Sequence, residues 1–126
     1  MNGMPTIETL RAIAAAFNAH DIEAILGFFA EDSAMQMPRG PDRCGTRYVG
    51  KAEIRAGLAA RFAGLPDVHY GQEEHCVSGT TGMSKWVLTG TMASTGQKLE
   101  VMGCDFYSFD ATGRVTLKDS YWKIVE

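Results

Sequence analysis

The sequence lacks the features by which several classes of protein are recognised. No apolar run approaches the roughly 20 residues needed to cross a membrane, and no basic run stands out in a chain whose net charge is -3. The first ten residues, MNGMPTIETL, contain neither a basic nor an apolar segment of the kind that starts a secretion leader. These absences predict a cytoplasmic protein that binds neither nucleic acid nor membranes.

Cysteine is also sparse. Cys44, Cys76 and Cys104 are widely spaced, odd in number and form no C-x-x-C pair. This arrangement argues against a disulfide framework or a structural zinc site and favours reduced thiols. Internal repeats and low-complexity segments are missing too.

The composition that remains is that of an ordinary globular protein. Apolar residues make up 45% of the chain and charged residues 21%. A chain of 126 residues can bury one substantial core, so we expect a single domain over residues 1–126.

The first half of the chain predicts three helices. One opens at Pro5 or Thr6, and a second follows Asp21, a good N-cap. A third begins at about Lys51 and ends before Pro66. Apolar residues recur at helical spacing in each: Ile7, Leu10, Ile13, Ala14 and Phe17, then Ile22, Ile25, Leu26 and Phe29, then Ile54, Leu58 and Phe62.

Between the second and third helices, the segment AMQMP predicts a short extended piece with Met35 and Met37 on one side. The following residues, Pro38–Gly50, contain two prolines and three glycines, which predicts an irregular loop and leaves open whether it is a lid.

The second half predicts four strands separated by turn signals, at about Asp67–Val77, Met83–Ser94, Gln97–Phe109 and Arg114–Val125. Helices followed by antiparallel strands predict an α+β fold, with one sheet covered on one face by the helices.

Turn lengths predict which side chains share a face of this sheet. With Thr95-Gly96 as a two-residue loop, Trp86 falls opposite Asp105. An even loop near Gly113 sets Asp105 opposite Lys118, whereas a three-residue loop with a bulge sets it opposite Asp119. Because opposite charges across strands stabilise and like charges destabilise, the first register is favoured.

This register predicts a concave, partly apolar hollow on the helix-covered face. Its rows are Trp86–Asp105–Lys118, Leu88–Gly103–Ser120, Gly90–Val101–Trp122 and Met92–Leu99–Ile124, and the small residues leave space between the two tryptophans. Apolar walls with a few convergent polar groups are typical of a ligand site. The opposite face carries Met102, Phe106, Leu117 and Tyr121, which predicts contact with a second subunit.

Three segments resemble the nuclear transport factor 2-like superfamily, which includes ketosteroid isomerases and SnoaL-like polyketide cyclases. They are FNAHDIEAILGFFAEDS, YVGKAEIRAGL and GQKLEVMGCDFYSFDATGRVTLKDSYW. The similarity covers nearly the whole chain and resides chiefly in the order of elements. The resemblance implies a cone-shaped half-barrel: a curved, mixed, mostly antiparallel sheet covered by three N-terminal helices, with a pocket between them. It also implies a homodimer.

The resemblance to ketosteroid isomerases matches some of their site residues to residues of the same chemical type in this sequence, but not others. The isomerase aspartate of the third long strand corresponds to Asp105, and a cavity aromatic of the last strand corresponds to Trp122. The isomerase tyrosine of the first helix corresponds to Ile13, and its proton-shuttling aspartate to Met37, so both are absent. The histidine of the cyclases has no assigned counterpart.

Two interpretations of the charged pair stay open. In the first, Asp105 is ionised and orients Lys118, whose ammonium meets a carbonyl, enolate or carboxylate of the substrate. In the second, the two form a structural ion pair that closes one end of the sheet. Trp86 and Trp122 either stack on a planar ligand or fill the core.

The histidines offer a candidate general base. His20 follows a helix and is expected at its C-terminus. A four-residue loop in SGTTG sets His75 opposite Trp86, whereas a five-residue loop sets Glu74 there. A metal site from His69, Glu73 and His75 is disfavoured, because no compact ligand motif accompanies them.

We expect a small-molecule-binding protein, and if it is catalytic, a cofactor-independent isomerase, cyclase or dehydratase acting on a hydrophobic cyclic oxygenated substrate. The alternative is a non-catalytic ligand-binding or dimerisation module. The predicted catalytic residues are Asp105, Lys118 and His75. The predicted substrate-binding residues are Trp86, Trp122, Met37, Tyr48, Leu88, Gly103, Ser120, Phe17 and Tyr107.

Overall fold

The helices of the described residues lie in the N-terminal half, as the sequence predicts. The computed structural model describes residues 3–126 and places α1 at Ile7–Asn18, α2 at Ile22–Gly27 and α3 at Lys51–Gly64. The Thr6 side chain accepts from the Thr9 backbone N–H, and the Asp21 side chain accepts from that of Ala24. These caps satisfy N–H groups that have no partner inside the helix, which explains where α1 and α2 begin.

Within the part of the chain that the structure describes, six strands form one curved, unclosed sheet. They are β1 Phe29–Asp42, β2 Gly45–Val49, β3 His69–Ser78, β4 Thr81–Thr91, β5 Lys98–Phe109 and β6 Val115–Trp122. Their order across the sheet is β2-β1-β6-β5-β4-β3. Strands β1 and β6 pair in parallel, because the chain returns from the far edge, and the other neighbouring strands pair antiparallel. The predicted α+β half-barrel with a mixed, mostly antiparallel sheet is confirmed.

The predicted loop over Pro38–Gly50 is wrong, because these residues continue β1 and form β2. The hairpin pairs Met37 with Thr46 and Asp42 with Gly45, with a register shift between. The two prolines fall within that shift, where no regular ladder partner is needed, so their missing N–H groups are tolerated. Phe29, predicted in the second helix, is instead the first residue of β1.

The β4–β5 register also differs from the prediction. Met92 and Gln97 close the hairpin with a 2.8 Å backbone hydrogen bond, so the loop is longer than Thr95-Gly96 alone. Trp86 consequently pairs with Gly103, and Asp105 pairs with Ser84. The displacement is two residues, which preserves the face on which every side chain lies.

Neither register considered for the β5–β6 hairpin forms along most of its length. Asp110 accepts from the backbone N–H groups of Thr112 and Arg114, which fixes a three-residue turn. A bulge then follows, because Phe109 pairs with Val115 but Ser108 pairs with Leu117. Beyond it Asp105 faces Ser120 and not Lys118, again on the predicted face.

The β3–β4 hairpin is tighter than either loop considered for it. Ser78 pairs with Thr81, so only two residues form the turn, and His75 pairs with Ser84. Further along, a bulge lies between Gly71 and Glu74, where Gln72 has a φ of 52°. A bulge shifts the alternation of side chains by one residue, so Tyr70 before it and His75 after it lie on the same face of the sheet.

The core lies between the helices and the concave face of the sheet. Helix α1 packs on β3 and β4, and α3 packs on β1 and β2. The largest fully buried side chains come from both layers: Leu10, Ile13, Ile25, Phe29, Met35, Ile54, Leu58, Leu88 and Val115. No helix within residues 3–126 is long and apolar enough to span a membrane.

Candidate functional site

A buried carboxylate organises the inner face of the sheet. Asp105, 5% exposed, accepts hydrogen bonds from Trp86 Nε1 at 2.9 Å and from Lys118 Nζ at 3.1 Å. The hydroxyl of Ser120 donates to the same oxygen as Lys118. A buried carboxylate needs such partners, and here three donors from β4 and β6 surround one residue of β5.

The ammonium group of Lys118 is equally enclosed. It is 5% exposed, donates to Ser120 Oγ at 2.9 Å and lies 4.8 Å from the centroid of the Phe17 ring. The ring face of an aromatic residue attracts a cation. Asp105, Ser120 and Phe17 therefore hold the charge of Lys118 inside the protein.

Two small pockets lie on either side of an aromatic partition. One, of about 20 Å³, is lined by His75, Ser84, Asp105 and Tyr107. The other, of about 10 Å³, is lined by Met35, Met37, Lys118 and Ser120. Phe17, Tyr70 and Trp86 line both pockets, and the rings of Tyr70 and Trp86 meet edge to face at 5.0 Å. Each space is about the size of one water molecule.

The predicted empty volume beside Gly103 is filled. A Cβ atom on Gly103 would lie 2.6 Å from Trp86 Cη2, so the indole occupies the space that the glycine leaves. At Gly90 the packing is looser, because an added Cβ would lie 3.5 Å from Leu65 Cδ2, in ordinary van der Waals contact. Glycine in this sheet thus allows the tryptophan to reach Asp105 and does not create a cavity.

One end of the interior opens near Trp122. The guanidinium carbon of Arg61 lies 5.1 Å from the centroid of the Trp122 ring. Both residues line the pocket beside Lys118 and also an outer cavity of about 180 Å³. This cation–π pair therefore lies where the pocket beside Lys118 and the outer cavity meet.

The predicted base lies at the other end of the interior. His75 Nδ1 is 2.8 Å from Ser84 Oγ, and His75 Nε2 is 2.9 Å from Glu73 Oε1. The His75 side chain is 5% exposed, and that of Glu73 is 31% exposed. Glu73 and His75 line both the Asp105 pocket and an outer cavity of about 590 Å³ against α1.

The remaining predicted site residues have other surroundings. Tyr48 covers Gly57 of α3, since a Cβ there would lie 2.7 Å from its ring. Leu88 is fully buried in the core. Tyr107 lies beneath the Asp105 pocket. His20 stacks on Phe62, and its Nε2 is 2.7 Å from the carbonyl oxygen of Val68.

Burial sets the acidity of the two inner tyrosines. Desolvation raises the pKa of Tyr70 to about 12, with nearby Arg61 acting in the opposite direction. Desolvation, and then the charge of Asp105, raise the pKa of Tyr107 well above its ordinary value. Both phenols are therefore neutral at physiological pH. Within residues 3–126, no three His, Cys, Asp or Glu side chains converge as a metal site.

Sequence reasoning missed three residues of this region. Arg61 follows Ile54 and Leu58 at helical spacing, so its position on the buried face of α3 was readable. The position of Ser84 was readable too, because it lies two residues before Trp86 in β4, a strand with regular alternation. That of Tyr70 was not, because the bulge in β3 reverses the alternation of side chains between Tyr70 and His75.

The family of the chain follows from comparison with known proteins. Residues 10–118 match the sequence model of the SnoaL-like domain. The match spans most of the chain, so the protein belongs to the SnoaL-like family of the nuclear transport factor 2-like superfamily. No curated protein matches it.

Solved structures share this fold at low sequence identity. A proposed polyketide cyclase from Xanthomonas campestris pv. campestris is 24% identical with a TM-score of 0.79, covering 90% of this chain and 87% of its own. A nuclear transport factor 2-like protein of unknown function from Burkholderia pseudomallei is 19% identical, with a TM-score of 0.81 and coverages of 93% and 89%. TerC, co-crystallised with polyporic acid, is 21% identical, with a TM-score of 0.78 and coverages of 93% and 90%.

Proposed function

We propose that this protein binds a hydrophobic cyclic ligand bearing an oxygen function, and that Lys118 contacts that oxygen. The observation that carries the proposal is the ammonium of Lys118, which is buried against Asp105, Ser120 and Phe17 and lines an interior pocket. A buried cation beside an apolar wall stabilises a developing enolate far more than an exposed one does. The polyporic acid bound by TerC gives a precedent for an organic acid in this fold.

The chemistry that fits these groups is acid–base catalysis, such as isomerisation, cyclisation or dehydration, with no cofactor. Asp105 positions Lys118, and His75 serves as the base on the opposite side of the partition. By the resemblance, Met37 stands at the position of the proton-shuttling aspartate of ketosteroid isomerases, and Ile13 at that of their first-helix tyrosine. The chemistry therefore differs in its groups from that of those isomerases.

Ligand binding requires the interior to open. The two pockets hold about 20 and 10 Å³, whereas ligand sites commonly measure 300–1,000 Å³. We infer that the ring of the ligand replaces part of the partition, with Tyr70 or Trp86 moving aside. Entry past Arg61 and Trp122 leads directly to Lys118.

Exchange of α-protons tests the proposal without knowledge of the product. Cyclohexanone and 1-tetralone are incubated with the protein in D2O, and loss of the α-proton signal is followed by NMR. We expect accelerated exchange that falls by about 100-fold in Lys118→Met, the size of effect that follows loss of one oxyanion donor. Lys85→Met, which changes an exposed lysine of the outer face, is the matched control. No acceleration by the unmodified protein contradicts the enzymatic proposal.

A non-catalytic role is the second candidate. It is favoured by the saturation of Asp105 with three donors and by the small interior volume. Binding of polyporic acid by calorimetry, with no proton exchange from any ketone, would support a ligand-binding protein.

We also infer a homodimer through the outer face of the sheet, and a cytoplasmic location for a chain with three free cysteines. Met102, Phe106 and Tyr121 are 45%, 48% and 53% exposed on this face. Such a patch is typical of a subunit interface. A second copy presents the same patch, so the interface would be self-complementary.

A further inference from the structure

A chain of hydrogen bonds connects the buried Asp105 pocket with the surface. Its inner end is the hydroxyl of Ser84, which is 4% exposed and 2.8 Å from His75 Nδ1. Its outer end is the carboxylate of Glu73, 2.9 Å from His75 Nε2. His75 lies between them and is almost inaccessible to solvent.

The donor and acceptor roles along this chain follow from the groups themselves. An ionised carboxylate can only accept, so the hydrogen of the His75–Glu73 bond belongs to Nε2. In the neutral ring Nδ1 then carries a lone pair and accepts from the Ser84 hydroxyl. The order serine, histidine and carboxylate is the arrangement that polarises a hydroxyl group toward a base.

The two ends of this series of hydrogen bonds, at Ser84 and at Glu73, open into different spaces. Ser84 and Asp105 are paired across β4 and β5 and line the same pocket of about 20 Å³. Glu73 and His75 also line the outer cavity of about 590 Å³. On α1, the small side chains of Ala14 and Ala15 cover the inner and outer spaces respectively, which leaves room beside the imidazole.

A local backbone distortion builds this arrangement. Tyr70 and His75 both face the interior, although an uninterrupted strand would direct an even and an odd position to opposite faces. The bulge at Gln72, with its positive φ, supplies the extra residue that allows both. Bulges frequently redirect a side chain beside an active site.

We propose that Ser84, His75 and Glu73 form a proton relay between the Asp105 pocket and solvent, a proposal that rests on the function given above. A proton released by the ligand bonds to Ser84 Oγ as the hydroxyl proton passes to His75 Nδ1. The Nε2 proton passes to the Glu73 carboxylate and from there to water. The ring is left as the opposite tautomer until a proton returns along the same chain, as isomerisation requires.

Glu73 is thus a positioning residue, and its first test needs no ligand. Protein labelled with ¹⁵N-histidine is studied by two-bond ¹H–¹⁵N correlation at a pH where the ring is neutral, with His75→Gln assigning the signals. We expect protonated Nε2 and a hydrogen-bonded, unprotonated Nδ1. Ser84→Ala should move the Nδ1 resonance, and Glu73→Ala should broaden or move that of Nε2–H. Glu74→Ala, which removes the same charge from the neighbouring residue, should move neither.

A second test measures proton transfer itself. In the ketone exchange assay, we expect Glu73→Ala to lower the rate by about 100-fold with little change in KM, as loss of general acid–base assistance does. Formate is a small carboxylate that fits the cavity of about 590 Å³ beside Glu73 and His75, and it should restore part of the rate. Glu74→Ala should retain the full rate.

The outcomes separate the relay from the function on which it rests. Exchange by the unmodified protein that persists in Glu73→Ala overturns the relay alone. So does an unprotonated Nε2, or a Glu73→Ala spectrum with both ring nitrogens unmoved. Absence of exchange in the unmodified protein overturns the proposed enzymatic function and the relay together.

Discussion

Lys118 and Asp105 form a buried ion pair although neither faces the other in the strand ladder. Asp105 pairs with Ser120 and Lys118 pairs with Tyr107, yet Nζ and Oδ1 are 3.1 Å apart. The long lysine side chain spans the diagonal between neighbouring rows. The ion pair therefore requires that Asp105 and Lys118 lie on the same face of the sheet, but not that they be cross-strand partners.

Breaking this pair should be costly for stability. Lys118→Met leaves the Asp105 carboxylate buried without its cation, and removal of one partner of a buried pair costs about 3–5 kcal/mol. Replacing both charges, in Asp105→Leu with Lys118→Met, should cost less than the single change because no unpaired charge remains. Urea denaturation measures both free energies of unfolding. If the free energy of unfolding of Lys118→Met lay within about 1 kcal/mol of that of the unmodified protein, the buried ion pair would be contradicted.

Adding a methyl group at position 103 should dislodge Trp86. The new Cβ of Gly103→Ala would lie 2.6 Å from Trp86 Cη2 and 2.4 Å from the backbone oxygen of Tyr121. We expect a loss of about 1–3 kcal/mol from overpacking and a shift in tryptophan fluorescence as Nε1 leaves Asp105. The control is Gly27→Ala in α2, where nothing lies within 4 Å of the added atom. Equal effects of the two substitutions would refute this packing.

The inner tyrosines predict a specific loss of stability in alkali. The folded-state pKa of Tyr70 is about 12 and that of Tyr107 is well above its ordinary value, whereas both titrate near 10 when unfolded. Their contribution is complete below the unfolded pKa and is lost as pH rises through the folded pKa. Stability should therefore fall from about pH 10 upward, and less steeply in Tyr70→Phe. If the folded protein showed tyrosinate absorbance from all four of its tyrosines at pH 10.5, the raised pKa of Tyr70 and Tyr107 would be contradicted.

The outer face predicts a dimer that a charge can disrupt. Phe106→Glu places a carboxylate in the exposed apolar patch and should give a monomer in sedimentation equilibrium. Val49→Glu is a matched control, because Val49 is exposed to the same degree, 49% against 48%. The inference fails if the unmodified protein is itself monomeric, or if both substitutions dissociate it equally.

The sequence predicted on which face of the sheet the side chains of β4, β5 and most of β6 lie, but not which residues are partners across neighbouring strands. Trp86, Asp105 and Lys118 point to one side as expected, because both hairpin registers differ from the prediction by an even number of residues. The β4–β5 rows were misplaced because that loop is longer than Thr95-Gly96. The β5–β6 rows were misplaced because the extra residue Thr116, between the partners of Phe109 and Ser108, adds a bulge to the three-residue turn at Asp110.

Other parts of the site could not be read from the sequence. The positive φ of Gln72 has no signature in a non-glycine residue, so the bulge that brings Tyr70 and His75 to one face was hidden. Pro38 and Pro41 predicted a loop because proline rarely lies inside a strand. They are tolerated within β1 because they fall in a register shift between Met37 and Asp42, and the sequence does not reveal where such a shift occurs. Cavity size depends on how side chains fill the space beside glycines, which no pattern of residue types specifies.

We propose that the buried Asp105 carboxylate organises a site for ligand chemistry. Asp105→Asn keeps the size of the side chain and removes its charge, so the melting temperature and the rate of ketone α-proton exchange can be compared in one folded variant. We predict that the variant remains folded at lower stability and that exchange falls by about 100-fold. Unchanged exchange with only the melting temperature lowered would show that the pair is purely structural.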